Sequence, residues 1–227
     1  FYPAEGEDYV LESQVGSLTV VKDPKALGGT ALVLEGDAWL NIKRALCPKL
    51  DIHGPDGQMS IVAWVKRGQK ENNECEFIAG QWNESHFSRQ YGLFLNICVW
   101  GKSDKVTGHL SNIGGPTPGY PYCIDGPVGS RDIPRDEWYS VAMSYDGTNG
   151  FVWIDGVLDS RPGLNPYSMA GGLHDGGING SDFTVGAVDR SGVIGNHFHG
   201  HMAGIAIYDR ALTPAEFSAL NQLSDLN

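Results

Sequence analysis

The stretch from Glu137 to Ser160 constrains the fold more than any other part of this 227-residue chain. Apolar and polar side chains alternate along it, and two Asp-Gly turns, at Asp146 and Asp155, divide it. Period-two alternation places one set of side chains against a core, and Asp-Gly supplies the positive φ angles of a tight hairpin. The segment therefore predicts consecutive antiparallel strands on one side of a β domain.

Strand signals continue along the rest of the chain. They include Thr30–Gly36, Ser60–Val65, and the pair Phe77–Trp82 and Tyr91–Asn96, which we expect to be antiparallel. No Pro/Ser-rich linker and no repeat interrupts them, so residues 1–227 are predicted to form a single domain.

The last part of the chain combines a strand with a helix start. The strand segment runs from Phe198 to Leu212 and is followed by Thr213-Pro-Ala-Glu216. Thr213 suits an N-cap, the proline suits the first helical position, and Glu216 completes a capping box. The sequence therefore predicts a short C-terminal helix.

The pattern Phe198-x-Gly200 with Tyr208-x-Arg-Ala-Leu212, together with the hairpin, resembles the laminin-G-like (concanavalin A-like) jelly-roll family. The resemblance covers most of the chain, but residues 1–20 and about 113–135 depart from the pattern. It implies an all-β jelly-roll sandwich of two antiparallel sheets with a short C-terminal helix. Because this family mostly handles glycans, the resemblance also implies an extracellular, lectin-like carbohydrate-recognition domain.

Composition narrows the possible partners. The net charge of −11 argues against nucleic acid, which attracts stripes of Lys and Arg, and is compatible with calcium or neutral glycans. No apolar run approaches the ~20 residues of a membrane span. We expect a glycan or polysaccharide partner, no nucleic acid and no membrane span, and leave the oligomeric state open.

Four cysteines permit two disulfides without demanding them. We favour Cys98–Cys123, because Cys98 ends a strand and Cys123 lies in the loop that follows, with Cys47–Cys75 second. The alternative is four buried thiols. Disulfides would accord with a secreted protein.

The best candidate binding region lies between Gln81 and Tyr122. Proline fixes φ and so stiffens the loop of residues 114–123, while tyrosine and tryptophan rings suit the C–H faces of sugars and planar polar groups suit their hydroxyls. The alternative is a loop that only seals one end of the sandwich, with Arg89 paired to Glu84. The predicted glycan contacts are Trp82, Arg89, Gln90, Tyr120 and Tyr122.

A catalytic alternative uses the same region. Jelly-roll polysaccharide lyases abstract a proton beside a uronate carboxylate with Tyr or His, while Arg, Gln or Asn neutralises that carboxylate. The residues of those types are His109, Tyr91, Arg89, Gln81 and Asn96. A glycosidase is disfavoured, because no Glu-x-Asp-x-x-Glu pattern occurs. A third alternative is an accessory or interaction module of a larger hydrolase.

Two metal sites are predicted. His197, His199 and His201 would share one face of a strand at ~7 Å intervals and could bind Zn²⁺ or another transition metal. The family resemblance implies a structural Ca²⁺, for which oxygen donors in or beside turns are the candidates. These calcium candidates are Glu35, Asp37, Asp182 and Asp189.

Overall fold

A computed structural model describes residues 6, 9–15, 18–70, 72–97, 102–190 and 192–223. Its strands in chain order are β1 (Glu12–Ser13), β2 (Thr19–Lys22), β3 (Thr30–Leu34), β4 (Leu40–Ile42), β5 (Met59–Arg67), β6 (Glu76–Asn83), β7 (Ser88–Ile97), β8 (Lys102–Leu110), β9 (Val128–Asp132), β10 (Trp138–Tyr145), β11 (Asn149–Ile154), β12 (Val157–Leu158), β13 (Tyr167–Ser168), β14 (Phe183–Val185), β15 (Val188–Arg190), β16 (Val193–Gly195) and β17 (Gly200–Tyr208). An α-helix, α1 (Pro214–Gln222), follows the last strand, and 3-10 turns occupy Leu27–Gly29, Arg44–Leu46, Pro48–Leu50 and Gly177–Asn179.

The strands form two sheets. Sheet I has the order β1-β4-β14-β6-β7-β8-β9, and β15 and β16 extend it beside β6. Sheet II has the order β12-β11-β10-β5-β17-β3-β2, with β13 beside β11. Among the described strands pairing is antiparallel except between β15 and β6, where Asp189 lies opposite Asn83 in a parallel contact. This arrangement confirms the predicted sandwich of two antiparallel sheets.

The core lies between the sheets and takes every second side chain of the central strands. β7 contributes Tyr91, Leu93 and Leu95 from sheet I, and β5 contributes Ile61, Ala63 and Val65 from sheet II, all of them fully buried. This alternation is what the sequence pattern predicts for a strand with one face on a core. The predicted strands are therefore confirmed, including the hairpin of β10 and β11 and the antiparallel pair of β6 and β7.

A second apolar layer covers the outer face of sheet II. Phe217 of α1 stacks on Trp153 of β11, with ring centroids 4.4 Å apart. The helix begins with the predicted capping box, in which the Thr213 hydroxyl accepts from the Glu216 N–H and the Glu216 carboxylate accepts from the Thr213 N–H. Within the described residues no helix is long and apolar enough to cross a membrane.

A third apolar layer lies on the outer face of sheet I. In β7, Phe94 lies between two core residues and so points away from the core, where it meets Phe77 and Trp82 of β6 edge to face at 4.9 and 6.0 Å. Val188 of β15 and Cys123 of the 113–126 loop pack on this cluster. Sheet I is therefore apolar on both faces in its centre.

Segments that depart from the family's pattern also contain strands. Residues 1–20 contain β1 and the start of β2, and residues 113–135 contain β9. These three strands have two to five residues each, which gives alternation too few positions to reveal them. The predicted histidine strand was wrong at its start, because β17 begins only at Gly200 and His197 and His199 precede it.

A buried ion cluster joins the sheets at one end. Arg67 of β5 and Glu76 of β6 are 1% and 0% exposed and form two hydrogen bonds, of 2.8 and 2.9 Å. Arg135 adds a contact of 3.2 Å to Glu76, and Asp104 one of 2.9 Å to Arg67. Charges buried this deeply are tolerated only when they are paired.

We expect Glu76→Gln to destabilise the protein by about 3 kcal/mol, because it leaves two guanidinium groups short of compensation in the interior. Urea denaturation monitored by tryptophan fluorescence measures the change. The matched control is Glu74→Gln, which breaks the more exposed Arg190–Glu74 pair (2.7 Å) and should cost less than about 1 kcal/mol. Equal losses for the two variants would contradict the prediction.

Candidate glycan-binding groove

An open groove of about 380 Å³ lies on the outer face of sheet I. Two tryptophans and several polar side chains line it. The lining residues are Trp39, Lys43, Trp82, Asn83, His86, Asn179, Gly180, Ser181, Asp182, Thr184, Asp189 and Ile194. They come from four separate parts of the sequence, which the strand order β4-β14-β6 brings together.

Thr184 is one of two deeply buried polar residues in the groove lining, the other being Ser181. It lies between Phe183 and Val185, which face the core, so its side chain is on the outer face, beside Asn41 of β4 and Gly80 of β6. Thr184 is 6% exposed, and its hydroxyl has no hydrogen-bond partner within the described residues. A buried hydroxyl without a partner costs free energy, and a ligand hydroxyl that reached it through a small shift of the groove wall would recover that cost.

Asp182 is held at one side of the groove by three donors. Its carboxylate accepts from Asn41 Nδ2 at 3.1 Å, from Lys43 Nζ at 2.8 Å and from the Arg44 N–H at 2.9 Å. Both carboxylate oxygens are therefore engaged, and the charge of Asp182 is balanced by Lys43.

Asp189 is fixed in the same manner by neighbours of its own. It accepts from Asn83 Nδ2 at 3.3 Å, from the Gly192 N–H at 3.1 Å and from the Ser85 hydroxyl. Trp82, beside Asn83, is 2% exposed and donates its indole N–H to Glu84 at 3.4 Å. These contacts fix the shape of the groove without using its Trp39, Asn179 or Thr184 side chains.

Arg44 holds the loop that forms another part of the groove. Its guanidinium pairs with Asp51 and with Asp175 (3.4 Å) and donates to the Gly177 carbonyl. Gly180 lies so close to it that a Cβ there would be 2.3 Å from Arg44 Nε. A side chain at position 180 would have to displace the arginine, so glycine lets the loop approach Arg44 and present Asn179 to the groove.

The residues predicted for a lyase do not reach this groove or any other exposed surface. Tyr91 and Gln81 are 0% exposed, and Arg89, Asn96 and His109 are at most 5% exposed. Tyr91 lies in the core and donates to the Leu50 carbonyl, and burial raises its pKa well above the ordinary value. His109 packs against Phe94 and Trp82 at 5.0 and 5.3 Å. Their buried positions argue against a lyase site at this location.

The predicted glycan contacts are divided between buried and exposed positions. Trp82 lines the groove. Arg89 is buried, lies over the Trp82 ring, donates to the Gly114 carbonyl at 3.2 Å and approaches Glu84 at 3.7 Å. Gln90 is fully buried and donates to Asp51. The remaining two, Tyr120 and Tyr122, are 48% and 58% exposed in the 113–122 loop, outside the groove lining.

The predicted metal ligands do not gather into a site. Among the described residues, which include all seven candidates, no three His, Cys, Asp or Glu side chains form a group that could hold an ion. His199 Nε2 is 3.0 Å from the Gly36 carbonyl, and His201 lies beside Trp138, with ring centroids 6.4 Å apart. The donors present therefore do not fit the expected ions.

Binding of Ca²⁺ or Zn²⁺ stays a prediction. A melting temperature that is higher with the ion than with EDTA would confirm it.

The predicted disulfides are absent from the described residues. Cys47 and Cys123 are buried free thiols, directed at the Lys43 and Leu110 carbonyls at 3.5 and 3.4 Å. Burial raises the pKa of each to about 11. The Cys47–Cys75 and Cys98–Cys123 pairings were therefore wrong, while Cys98 itself lies outside the described residues.

Sequence reasoning missed most of the groove. Trp39, Lys43, His86, Asn179 and Thr184 were not selected, because they belong to different strands and loops. A signal for Thr184 was present, since a polar residue between the apolar Phe183 and Val185 predicts an outward side chain.

Residues 35–218 match the Laminin G 3 family, which is described as the Concanavalin A-like lectin/glucanases superfamily. The chain belongs to this family. The assignment confirms the resemblance drawn from Phe198–Leu212 and the hairpin. The comparison with curated proteins finds none that matches the chain.

Solved structures share the fold at low identity. Domain 4 of AbnA, a GH43 extracellular arabinanase from Geobacillus stearothermophilus in complex with arabinotriose, is 20% identical, with a TM-score of 0.62 over 92% of this chain and 83% of that one. A Trypanosoma rangeli sialidase in complex with the inhibitor DANA is 15% identical (TM-score 0.59; 95% of this chain, 30% of that one). A structure of botulinum neurotoxin type C, whose cell entry depends on two ganglioside molecules, is 9% identical (TM-score 0.53; 96% and 47%). These identities establish the fold alone.

We expect the stability of the protein to fall as the pH is lowered from 7 to 5. Burial lowers the pKa of His197 and of His201, and the Nδ1 atoms of both are buried without a hydrogen-bond partner in the described structure. The two histidines contribute fully to the free energy of unfolding above the ordinary histidine pKa of about 6.5. Below that pH the unfolded chain binds protons that the folded chain does not, so the free energy of unfolding falls.

Thermal melts across this pH range measure the effect. The double variant His197→Gln/His201→Gln should show a flatter dependence than the parent. His86→Gln, at an exposed histidine, is the control and should keep the parent's slope. A double variant with an unchanged slope would refute the assignment.

Proposed function

We propose that the protein is a carbohydrate-binding domain whose ligand occupies the groove on sheet I. The observation that carries the proposal is the Thr184 hydroxyl, which is buried and has no hydrogen-bond partner among the described residues, in a groove that Trp39 and Trp82 also line. Sugars offer apolar C–H faces and many hydroxyls, so they are recognised by indole rings together with a few fixed polar groups.

The charges of the groove favour an uncharged glycan. Asp182 and Asp189 line it, and Lys43, the lysine in its lining, already pairs with Asp182 at 2.8 Å. A uronate or sialate would also meet the Asp189 carboxylate, which pairs with no Lys or Arg among the described residues. The overall charge of −11 acts in the same direction.

Structural neighbours support carbohydrate as the class of ligand. The arabinanase domain was solved with arabinotriose, the sialidase with the inhibitor DANA, and the type C toxin depends on gangliosides. The arabinanase domain belongs to a larger hydrolase, which also makes an accessory role beside a catalytic domain a suitable setting for this chain. Secretion stays a prediction from the sequence.

We expect Thr184→Val to weaken glycan binding about 2- to 10-fold, the effect of one lost hydrogen bond. The same change should leave the melting temperature equal or higher, because valine fills the site without a buried unpaired hydroxyl. The matched control is Thr107→Val. Thr107 of β8 is 0% exposed and its hydroxyl also has no partner among the described residues, but it does not line the groove.

The binding experiment uses isothermal titration calorimetry against a panel of polysaccharides. The neutral members are arabinan, xylan, β-glucan and mannan, and the uronate members are polygalacturonate and alginate. We expect a neutral polymer to bind, Trp39→Ala to weaken it about fivefold or more, and Thr107→Val to leave it unchanged. Parent protein that binds no member, or binding that Trp39→Ala and Thr184→Val leave intact, would overturn the proposal.

A further inference from the structure

Three exposed aromatic side chains lie on two segments of the chain that meet next to the groove. Phe87, Tyr120 and Tyr122 are 60%, 48% and 58% exposed, and Ile113 beside them in the chain is 49% exposed. Large apolar side chains that cluster on a surface mark binding sites more often than isolated ones do. We use the name aromatic ledge for Phe87, Tyr120 and Tyr122.

Phe87 has a strained backbone conformation that is not offset by burial of its side chain. Its φ is +52°, in the left-handed region that large side chains rarely adopt. Such a conformation costs of order 1 kcal/mol or more, and an exposed ring recovers little of it by burial. A ring held at this cost in the turn between β6 and β7 therefore points to a role outside folding.

Contacts along the chain connect the ledge to the groove. His86, the residue before Phe87, lines the groove. On the other side, the Phe87 ring lies 3.8 Å from where a Cβ on Gly115 would be, so it adjoins the 113–122 loop. Gly114, with φ +73°, allows this approach, since a Cβ there would be 2.0 Å from the Phe87 carbonyl oxygen.

Backbone hydrogen bonds fold the loop so that it carries its two tyrosines as a unit. The Thr117 N–H donates to the Tyr122 carbonyl at 3.1 Å, and the Tyr120 N–H donates to the Thr117 carbonyl at 2.9 Å. The Thr117 hydroxyl is in turn anchored on Asp125 at 2.5 Å. Phe87 therefore lies between His86, which lines the groove, and the loop that carries the two tyrosines.

We propose that the ligand is a long polysaccharide, of which one segment fills the groove and the next lies across the aromatic ledge. This inference rests on the proposed function and names the size of its ligand. The groove is open and has a volume of only about 380 Å³, so a longer chain must leave it. The exposed, flat rings of the aromatic ledge suit the stacking of successive sugar units. They would add affinity only for chains long enough to reach them.

The test compares short and long oligosaccharides of the neutral polymer that binds in the panel above. Calorimetry with the trisaccharide and the octasaccharide should give clearly tighter binding for the octasaccharide in the parent protein. Phe87→Asn should weaken octasaccharide binding about 3- to 10-fold, the effect of one lost stacking contact, and leave the trisaccharide within about twofold. Asparagine tolerates positive φ, so this variant should fold at least as well as the parent.

Two further variants keep the outcome decisive. Phe87→Trp retains a ring and should preserve the length dependence, while Val157→Asn removes a 65% exposed apolar residue from sheet II and should change neither affinity. Equal binding of the two oligosaccharides, or a Phe87→Asn effect of the same size on both, would overturn the inference while leaving carbohydrate binding in place. If Phe87→Asn left the affinities for both oligosaccharides unchanged, that result would also overturn the inference and would assign the ledge to a protein partner instead. If no polymer binds at all, the proposed function fails first.

Discussion

The central strands of sheet I are apolar on both faces, and each of those faces has to be covered. Sheet II covers the inner face, where it packs against residues of β7 such as Leu93, and Val188 of β15 and Cys123 of the 113–126 loop cover the outer face around Phe94. An ordinary two-layer sandwich needs only the first of these covers. The groove lies on the outer face beside the second cover, where Trp82 belongs both to the outer apolar cluster and to the groove lining. Folding and the proposed recognition therefore share one side chain.

The polar side chains of the groove fall into two groups that differ in their partners. Asp182 and Asp189 are saturated by neighbouring donors and serve to shape the surface. The hydroxyl of Thr184 makes no such bond in the described structure, and the proposed glycan contact falls on it. This division favours binding over acid–base chemistry, because a general base must be able to accept a proton from the substrate.

Alternation and turn residues predicted the hairpin of β10 and β11, and the capping box predicted α1, because these features depend on neighbours in the sequence. The two-sheet sandwich was implied by the resemblance to the laminin-G-like family. Alternation and turn residues could not predict which outer face would be covered, and for that reason His109 and Arg89 were read as surface residues although they lie beneath other groups. Thr184 and Trp39 were missed for a related reason. Their proximity depends on β4, β14 and β6 being neighbours, and that order is set by long-range pairing which local patterns do not encode.

The contacts of Arg44 have a consequence for how a ligand would be received. With its guanidinium held by Asp51 and Asp175, and Gly180 seated against it, the loop that carries Asn179 is already in place before anything binds. Association then has to immobilise few protein groups, and the entropic penalty falls mainly on the flexible sugar chain. For the proposed ligand, such preorganisation would raise the affinity obtained from a given contact area. It also means that the backbone of the free protein should superimpose closely on that of the complex.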